Sequence, residues 1–441
     1  MRGSMERRMP TLAPAANSRS AMPDARRAVV LWLFFVLASG LGCSVHRACV
    51  PGGLLTPEST VDLNSTIQAH PYTEREALAA SVARLKSGPE ELFDPNRKKY
   101  NVLALSGGGS YGAFTAGTLN GWTASGQRPQ FDIVSGVSTG ALIATYAFLG
   151  PQYDQSLRQF YTTTTTGDIY RNRFKPAILC SDSFVNSKPL ERVIESTVTP
   201  QLLCAVAMAH AEGRRLYIGT TNVDTGRLVI WDMGAIASSG KPNSLTLYRQ
   251  IVLASASPPG FFPPVHINVS VNGRNYTEMH VDGGTTAQVF FRASMIHVDH
   301  AAAAAGQRPL AGSKVYIIVA GKAFPDPMCA EDKALKIAAS SLTALTYAQT
   351  RNDLIRIYTL TLLTGMDYRV ASVPQDWPIH EDSMKFEPGP MRQLFDLGFQ
   401  RAVAGQAWAD VPPVLDASQQ SIPRSGTEFL VPLETRLPCD R

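Results

Sequence analysis

The feature that most constrains this chain is a short apolar strand that ends in three consecutive glycines. Residues 101–105 read Asn-Val-Leu-Ala-Leu, and Ser-Gly-Gly-Gly follows directly at 106–109. An apolar run of this length is typical of a strand that is buried on both faces of a parallel sheet. Small residues at positions 113, 116 and 117 then predict a helix with a small-residue face against the sheet. This order of strand, glycine turn and helix predicts an α/β fold.

The same order recurs along the chain. Residues 131–134 predict a second strand that ends at a Ser-Gly pair, and residues 139–149 predict a helix rich in Ala and Leu. Strands that alternate with helices predict a mostly parallel central sheet covered on both faces. Further strands are predicted at 216–220, 228–231 and 314–320.

The glycine turn offers several backbone N–H groups that can converge on one point, such as a phosphate or a developing oxyanion. Gly107, Gly109 and Gly112 also match the G-x-G-x-x-G dinucleotide pattern. That motif requires an acidic residue at the end of the second strand, whereas Asp132 stands before the apolar part of it. A P-loop is excluded because Thr118 stands where the motif requires Lys.

A second motif, Gly136-Val-Ser138-Thr-Gly140, lies between the second strand and its helix. A nucleophile elbow needs this context, because the turn is so tight that only glycine fits on either side of the serine. The helix N-terminus behind the serine carries partial positive charge that favours an oxyanion. Taken alone, the pattern also fits a simple glycine turn with an exposed serine.

A third motif is Asp282 followed by Gly283 and Gly284. An aspartate at the exit of a strand can direct its carboxylate into a cleft. Taken alone, this motif is more typical of a simple turn.

In this order along the chain, the three motifs together resemble the patatin-like phospholipase family. The matching stretches are 103–109, 136–140 and 282–284, with supporting matches at 221–226, 253–258 and 262–264. The resemblance covers roughly residues 101–404. It implies a three-layer α/β/α fold with a mostly parallel central sheet.

The resemblance also implies the roles of individual residues in an acyl hydrolase that uses no cofactor or metal. Ser138 is the expected nucleophile and Asp282 the expected base of a Ser–Asp dyad. The expected oxyanion hole consists of the backbone amides of Gly107, Gly108 and Gly109. The expected substrate is a lipid or another acyl ester.

One departure from the family pattern affects this expectation. Many members have Arg or Lys just before the last glycine of the first motif, Gly112, where this chain has Tyr111. The missing positive charge puts recognition of anionic head groups in doubt. Two alternatives stay open: a non-catalytic lipid-binding envelope lipoprotein, and a lipid acyltransferase with the same site residues.

A Ser–His–Asp triad is the competing mechanism for such an enzyme. His280 lies two residues before Asp282, but we expect it to be a bystander because a Ser–Asp dyad needs no histidine. His297 and His300 are expected to form a surface cluster and not a metal site. The remaining candidates are His266 and His380.

The segment 258–264, Pro-Pro-Gly-Phe-Phe-Pro-Pro, has two interpretations. Its rigid prolines and two aromatic rings suit the wall of an acyl-chain cleft. They equally suit a buried turn that packs on the core.

The N-terminal region has the layout of a secretory signal. Residues 28–38 are apolar, follow a pair of arginines and lead through small residues to Cys43. The run is short for a membrane-spanning helix, which needs about 20 residues. Met22 would give a compact signal as an alternative start.

Cys43 resembles the acceptor of a bacterial lipoprotein signal, so we expect an exported, membrane-anchored protein that faces the periplasm. Cleavage to a soluble exported protein and retention as an anchor are the alternatives.

The charge distribution supports this division of the chain. The formal net charge is +5, and the first 27 residues contribute six arginines and two acidic residues, so only +1 remains beyond them. The remaining residues are so close to neutral that nucleic acid is not an expected partner.

We divide the 441 residues into a signal (1–42), a tether with a short helix (43–98), a hydrolase domain (99–410) and a tail (411–441). Pairing among the other five cysteines stays open.

Overall fold

A computed structural model describes residues 47–51, 60–61, 98–173, 181–296, 310–327, 331–378 and 382–415. The predicted signal, Cys43, most of the predicted tether and nearly all of the predicted tail lie outside these ranges, so the domain boundaries stay predictions. Cys49 and Cys204 are exposed free thiols. Within the described ranges, no helix is both long enough and apolar enough to cross a membrane.

The described residues form eleven β-strands and ten α-helices. The strands are β1 (Thr60–Val61), β2 (Asn101–Leu105), β3 (Ile133–Gly136), β4 (Arg171–Asn172), β5 (Val185–Asn186), β6 (Arg215–Asn222), β7 (Arg227–Asp232), β8 (Val265–Val271), β9 (Arg274–Asp282), β10 (Lys314–Ile318) and β11 (Asp367–Ala371). The helices are α1 (Gly112–Ala124), α2 (Thr139–Leu149), α3 (Asp154–Thr163), α4 (Thr166–Ile169), α5 (Lys188–Thr197), α6 (Pro200–Ala211), α7 (Met233–Ser238), α8 (Ser244–Ser255), α9 (Ala334–Thr364) and α10 (Pro388–Val403).

Nine of these strands form one sheet in the order β1-β7-β6-β3-β2-β10-β11, and β9 and β8 extend it beside β6. The centre is parallel, since β2 pairs with β3 and β10, β3 with β6, and β10 with β11. The mixed α/β fold with a mostly parallel central sheet is therefore as the sequence predicts.

The sheet departs from the simple parallel pattern at one side. Strands β6 and β7 pair antiparallel, as do β6 with β9 and β8 with β9. The segment between β6 and β7 is only residues 223–226, and a connection so short closes a hairpin because a parallel crossover needs a dozen or more residues. Between β8 and β9, Asn272 and Gly273 both have positive φ, as a tight two-residue hairpin turn requires.

Helices cover both faces of the sheet, which gives the predicted three layers. Along β2, Leu103 and Leu105 belong to one apolar core, and Val102 and Ala104 belong to the other. The first core is shared with α1, α2, α8 and α10, and the second with α9. An uninterrupted apolar run thus serves two cores, because successive side chains of a strand point to opposite faces.

The small-residue face of α1 packs partly against another helix and not only against the sheet. A Cβ atom on Gly117 would lie 2.0 Å from the carbonyl oxygen of Phe395, and one on Gly121 would lie 2.2 Å from that of Phe399. Both phenylalanines belong to α10. The glycines therefore let the two helix backbones come into direct contact, a use that the sequence pattern did not predict.

Candidate active site

Strand β6 brings the second and third motifs together. On one edge of β6, Gly136 at the end of β3 pairs with Ile218, and Asp282 at the end of β9 pairs with Thr220. The opposite edge is occupied by β7 from Tyr217 onward. Strands β3 and β9 therefore meet end to end on the same edge of β6, and the residues that follow β3 lie beside the end of β9.

Ser138 sits on a sharp turn between β3 and α2, with φ of 55° and ψ of −125°. A Cβ atom on Gly136 would lie 2.4 Å from the Gly140 carbonyl oxygen, and one on Gly140 would lie 2.5 Å from the Leu105 carbonyl oxygen. Neither position has room for a side chain, for the reason that the sequence motif predicts. Ser138 is half-buried, and the N-terminus of α2 lies directly behind it.

The main chain of the turn is held by Ser255, the last residue of α8. The Ser138 N–H donates to the Ser255 Oγ at 3.1 Å, and the Ser255 hydroxyl donates to the Gly219 carbonyl oxygen at 2.7 Å. Sequence reasoning counted residues 253–258 only as a supporting match and gave Ser255 no role. The only sequence signal for a role of Ser255 is that alanines flank it and that Pro258 and Pro259 follow shortly after it.

The Asp282 carboxylate is buried beside Ser138. It accepts a hydrogen bond from the Gly284 N–H at 2.7 Å, and the Ser138 side chain lies close enough to it to lower its pKa. The Asp282 N–H donates to the Ser257 carbonyl oxygen at 2.8 Å. Burial raises the pKa of Asp282 to about 7, although the Ser138 side chain and the bond from Gly284 act to lower it. A carboxylate with this pKa can accept and return a proton near neutral pH.

The glycine loop (residues 106–109) contacts the serine turn (residues 136–140) directly, but its three glycine N–H groups differ in their hydrogen bonds. A Cβ atom on Gly107 would lie 3.1 Å from the Ser138 Cβ. The Gly107 N–H is already used, since it donates to the Gln288 carbonyl oxygen at 3.0 Å. Among the described residues, the amides of Gly108 and Gly109 have no hydrogen-bond acceptor. An oxyanion hole formed by Gly107, Gly108 and Gly109 stays a prediction, and the N–H groups of Gly108 and Gly109 are the two that are available for it.

Gln288 ties the glycine loop to the third motif. Its carbonyl oxygen accepts the Gly107 N–H, and its side-chain amide donates to the Gly284 carbonyl oxygen at 2.8 Å. Its own N–H donates at 2.8 Å to the carboxylate of Asp353 on α9. Sequence reasoning missed both Gln288 and Asp353, because neither belongs to a recognisable motif.

Residues 103–294 match the family model described as Patatin-like phospholipase. This stretch is therefore similar to patatin-like phospholipases, and the glycine loop, the serine turn and Asp282 all lie within it. No curated protein gave a significant match. Among solved structures, VipD from Legionella pneumophila is similar with a TM-score of 0.35 and 13% sequence identity, over 75% of this chain and 73% of that one. So weak a likeness carries no argument about activity.

Tyr111, which replaces the basic residue of many family members, points into the patatin-like domain. Its side chain is only 7% exposed, and its ring lies against Gly321. The next residue, Gly112, lies so close to the serine turn that a Cβ atom there would be 2.4 Å from the Thr139 Oγ1. Position 111 therefore supports the packing of the loop and does not present a group to solvent.

Neither of the two described triad candidates, His280 and His266, forms a hydrogen bond with Ser138. His280 is fully buried, with one ring nitrogen 2.9 Å from the Thr220 Oγ1 and the other 3.0 Å from the Glu278 carboxylate. Both nitrogens are thus occupied by residues other than Ser138. His266 is exposed on β8, and His297, His300 and His380 lie outside the described residues. The described residues contain no cluster of potential metal ligands.

The proline-rich segment 258–264 forms a turn in which Phe262 is buried, whereas Pro259 and Gly260 are exposed. The Phe262 side chain is 2% exposed, and its ring centroid lies 5.7 Å from that of Tyr170. The carbonyl oxygens of Gly260 and Phe261 accept the N–H groups of Phe184 and Val185. These contacts favour the structural interpretation of the segment over the interpretation as a cleft wall.

Proposed function

We propose that the protein is a serine acyl hydrolase that cleaves lipid or related acyl esters with a Ser138–Asp282 dyad. The proximity of the Ser138 side chain to the buried Asp282 carboxylate, close enough to lower its pKa, is the observation that carries this proposal. A nucleophilic serine needs an adjacent base, and Asp282 is the ionisable group beside it. The match of residues 103–294 to the patatin-like phospholipase model supports the same reaction class.

In the proposed reaction, the Ser138 Oγ attacks the ester carbonyl carbon while its proton passes to Asp282. The carbonyl oxygen takes up the displaced electron pair, and the free amides of Gly108 and Gly109 donate to it. The tetrahedral intermediate then collapses, and the leaving alcohol recovers the proton from Asp282. A water molecule, deprotonated by the same carboxylate, hydrolyses the acyl-enzyme. The raised pKa of Asp282 supports this role because a carboxylate at its usual pKa of about 3.9 is a poor base.

The preferred substrate is proposed to be an ester whose recognition does not depend on an anionic head group. The supporting observation is that Tyr111 is buried where many relatives carry a basic residue. Acyl transfer to an alcohol would use the same groups, with the alcohol in the place of water. A non-catalytic lipid-binding protein would make no use of a buried carboxylate beside Ser138.

The test combines covalent labelling with ester hydrolysis. A fluorophosphonate probe should label the wild type strongly, Asp282→Asn weakly or not at all, and Ser138→Ala not at all. Hydrolysis of short acyl esters should follow the same order. The control is Ser125→Ala, which removes a hydroxyl outside the site. Labelling that persists in Ser138→Ala would overturn the proposal, and transfer of the acyl group to added glycerol would reassign the enzyme as an acyltransferase.

We further propose that the protein is exported and anchored in the bacterial envelope through a lipid on Cys43, facing the periplasm. The support is the sequence of the N-terminal region, with its basic residues, its apolar run and a glycine before Cys43. Feeding cells an alkyne-tagged fatty acid should label the full chain, and Cys43→Ser should remove the label. Equal labelling of Cys49→Ser provides the matched control. Unchanged labelling of Cys43→Ser would contradict the proposed anchor.

A further inference from the structure

A buried carboxylate on α9, that of Asp353, is hydrogen-bonded to the main chain of the segment after the third motif. It accepts the Gln288 N–H at 2.8 Å and the Val289 N–H at 3.4 Å. The residue is only 8% exposed. Arg356, three residues further along α9, approaches the other carboxylate oxygen only to 4.0 Å. The direct hydrogen-bond partners of Asp353 are therefore the two N–H groups, and the ion pair is the weaker contact.

The peptide unit that joins Gln288 to Val289 lies between Asp353 and the glycine loop. The N–H and C=O groups of a trans peptide point in opposite directions. The N–H of this unit points to Asp353, and its carbonyl oxygen accepts the Gly107 N–H at 3.0 Å. A negative charge at the N–H end strengthens the carbonyl oxygen as an acceptor, because hydrogen bonds in a chain polarise one another. Asp353 thus fixes the carbonyl group that holds the glycine loop.

The position of Gly107 determines where the N–H groups of Gly108 and Gly109 point, since these residues follow it directly. A Cβ atom on Gly107 would lie 3.1 Å from the Gln288 Oε1 and 3.1 Å from the Ser138 Cβ. The loop is therefore packed closely between Gln288 and the nucleophile. A shift of the Gln288 main chain would move the loop relative to Ser138.

Gln288 also connects Asp353 to the other half of the site. The Gln288 side-chain amide donates to the Gly284 carbonyl oxygen at 2.8 Å, and the Gly284 N–H donates to the Asp282 carboxylate at 2.7 Å. The residue that Asp353 holds thus contacts both the glycine loop and the support of the base.

Asp353 is ionised under the conditions in which Asp282 can act as a base. Burial raises the pKa of Asp353 to about 6, although the charge of Arg356 and the N–H groups of Gln288 and Val289 act to lower it. At pH 8 the side chain is therefore a carboxylate. Asparagine at this position would keep a hydrogen-bond acceptor of the same size without the charge.

We propose that Asp353 is a positioning residue for ester hydrolysis, and that it holds the glycine loop where the N–H groups of Gly108 and Gly109 can donate to the oxyanion. The inference rests on the proposed acyl hydrolase function and adds a residue that does not touch the substrate. The oxyanion exists only in the tetrahedral intermediate and the transition states beside it. Loss of Asp353 should therefore weaken binding of these species and not of the ground-state ester.

The first test measures kcat/KM for p-nitrophenyl butyrate at pH 8 in the full chain. Asp353→Asn should lower kcat/KM about tenfold and Asp353→Ala about 100-fold. Thr350→Val is the matched control and should keep the wild-type value, because Thr350 is buried to the same degree on α9 and its hydroxyl bonds to the Thr346 carbonyl oxygen of the same helix. Asp353→Asn decides the question if Asp353→Ala does not fold. A wild-type kcat/KM in Asp353→Asn would overturn the inference.

Inhibitor binding separates positioning from a general loss of structure. When a trifluoromethyl ketone binds, the Ser138 Oγ adds to its carbonyl carbon and the ketone oxygen becomes an oxyanion, whereas the corresponding alcohol binds without reaction. The Ki of the ketone should rise in each Asp353 variant by the factor by which kcat/KM falls, and the Ki of the alcohol should change by less than about twofold. Equal weakening of both inhibitors would overturn the inference. Absence of hydrolysis by the wild type would instead overturn the proposed function itself.

Discussion

The Ser138 side chain lies close enough to the buried Asp282 carboxylate to lower its pKa, although the two residues belong to motifs far apart in the chain. The pairing follows from a shared neighbour, since β3 and β9 lie end to end along one edge of β6. Ser138 follows the first strand and Asp282 ends the second. The proximity of Ser138 to Asp282 therefore depends on the register of β6 as much as on either motif.

The pH dependence of hydrolysis should report the pKa of Asp282, which burial raises to about 7. Only the deprotonated carboxylate can accept the Ser138 proton, so kcat/KM should rise with pH and level off above about 7. An uncharged short-chain ester avoids titration of the substrate. A profile that is already level at pH 5 would show that Asp282 has an ordinary pKa in the free enzyme and would contradict its burial as the controlling influence.

Removing the Asp282 charge should make the protein more stable at alkaline pH. The folded-state pKa of about 7 exceeds the ordinary 3.8, so the native state binds more protons and loses stability as pH rises between these values. Each unit of pKa difference corresponds to about 1.4 kcal/mol. Because Asn accepts the bond from the Gly284 N–H less well than a carboxylate, we expect Asp282→Asn to gain on the order of 2 kcal/mol at pH 8.

Urea unfolding of the wild type and Asp282→Asn at pH 8 and at the lowest pH that keeps the fold measures this gain. The difference should shrink as pH falls towards 4, where both side chains are neutral. Asp376→Asn, at an exposed aspartate, is the control and should change little at either pH. A destabilised Asp282→Asn at pH 8 would show that the carboxylate is stabilising in its charged form.

Sequence patterns predicted those parts of the site whose conformation depends only on residues close together in the chain. The strand 101–105 and the helix 139–149 match β2 and α2, because an apolar run and a glycine turn act over a few residues. The proximity of Ser138 to Asp282 depends instead on the pairing of β9 with β6. The Gly107 N–H is unavailable to a substrate because it donates to the Gln288 carbonyl oxygen. Such long-range partners leave no periodic signal in a single sequence, and only the family resemblance indicated that Asp282 belongs to the site.

Ser255 should be more important for both activity and stability than its neighbour Ser257. The Ser255 hydroxyl joins the Ser138 N–H to the Gly219 carbonyl oxygen, whereas the Ser257 hydroxyl bonds only to Leu253 one turn before it. Ser255→Ala leaves two backbone groups beside the nucleophile unpaired, so we expect a loss of about 1–3 kcal/mol and a lower kcat. Ser257→Ala is the matched control, since both serines are fully buried. Equal effects of the two variants on kcat would remove Ser255 from the support of the turn.

The strained turn at Ser138 should be relieved by glycine. With φ of 55°, a non-glycine residue costs about 1–3 kcal/mol, and Ser138→Gly removes both the strain and the hydroxyl. Ser138→Ala removes the hydroxyl alone. Thermal unfolding should therefore give a higher Tm for Ser138→Gly than for Ser138→Ala, with both variants inactive. The reverse order would mean that the turn is not strained.

Adding a methyl group to Gly108 should damage the glycine loop far more than the same change at another left-handed glycine. A Cβ atom on Gly108 would lie 2.0 Å from the Ala320 carbonyl oxygen, whereas one on Gly126 would meet nothing within 4 Å. Both glycines have positive φ, so Gly126→Ala measures the conformational cost alone, about 1 kcal/mol. Gly108→Ala must in addition displace the loop whose amides would hold the oxyanion, and we expect kcat to fall by about 100-fold. If both variants lose stability equally and keep kcat within a few-fold of the wild type, the amides of Gly108 and Gly109 do not stabilise the transition state.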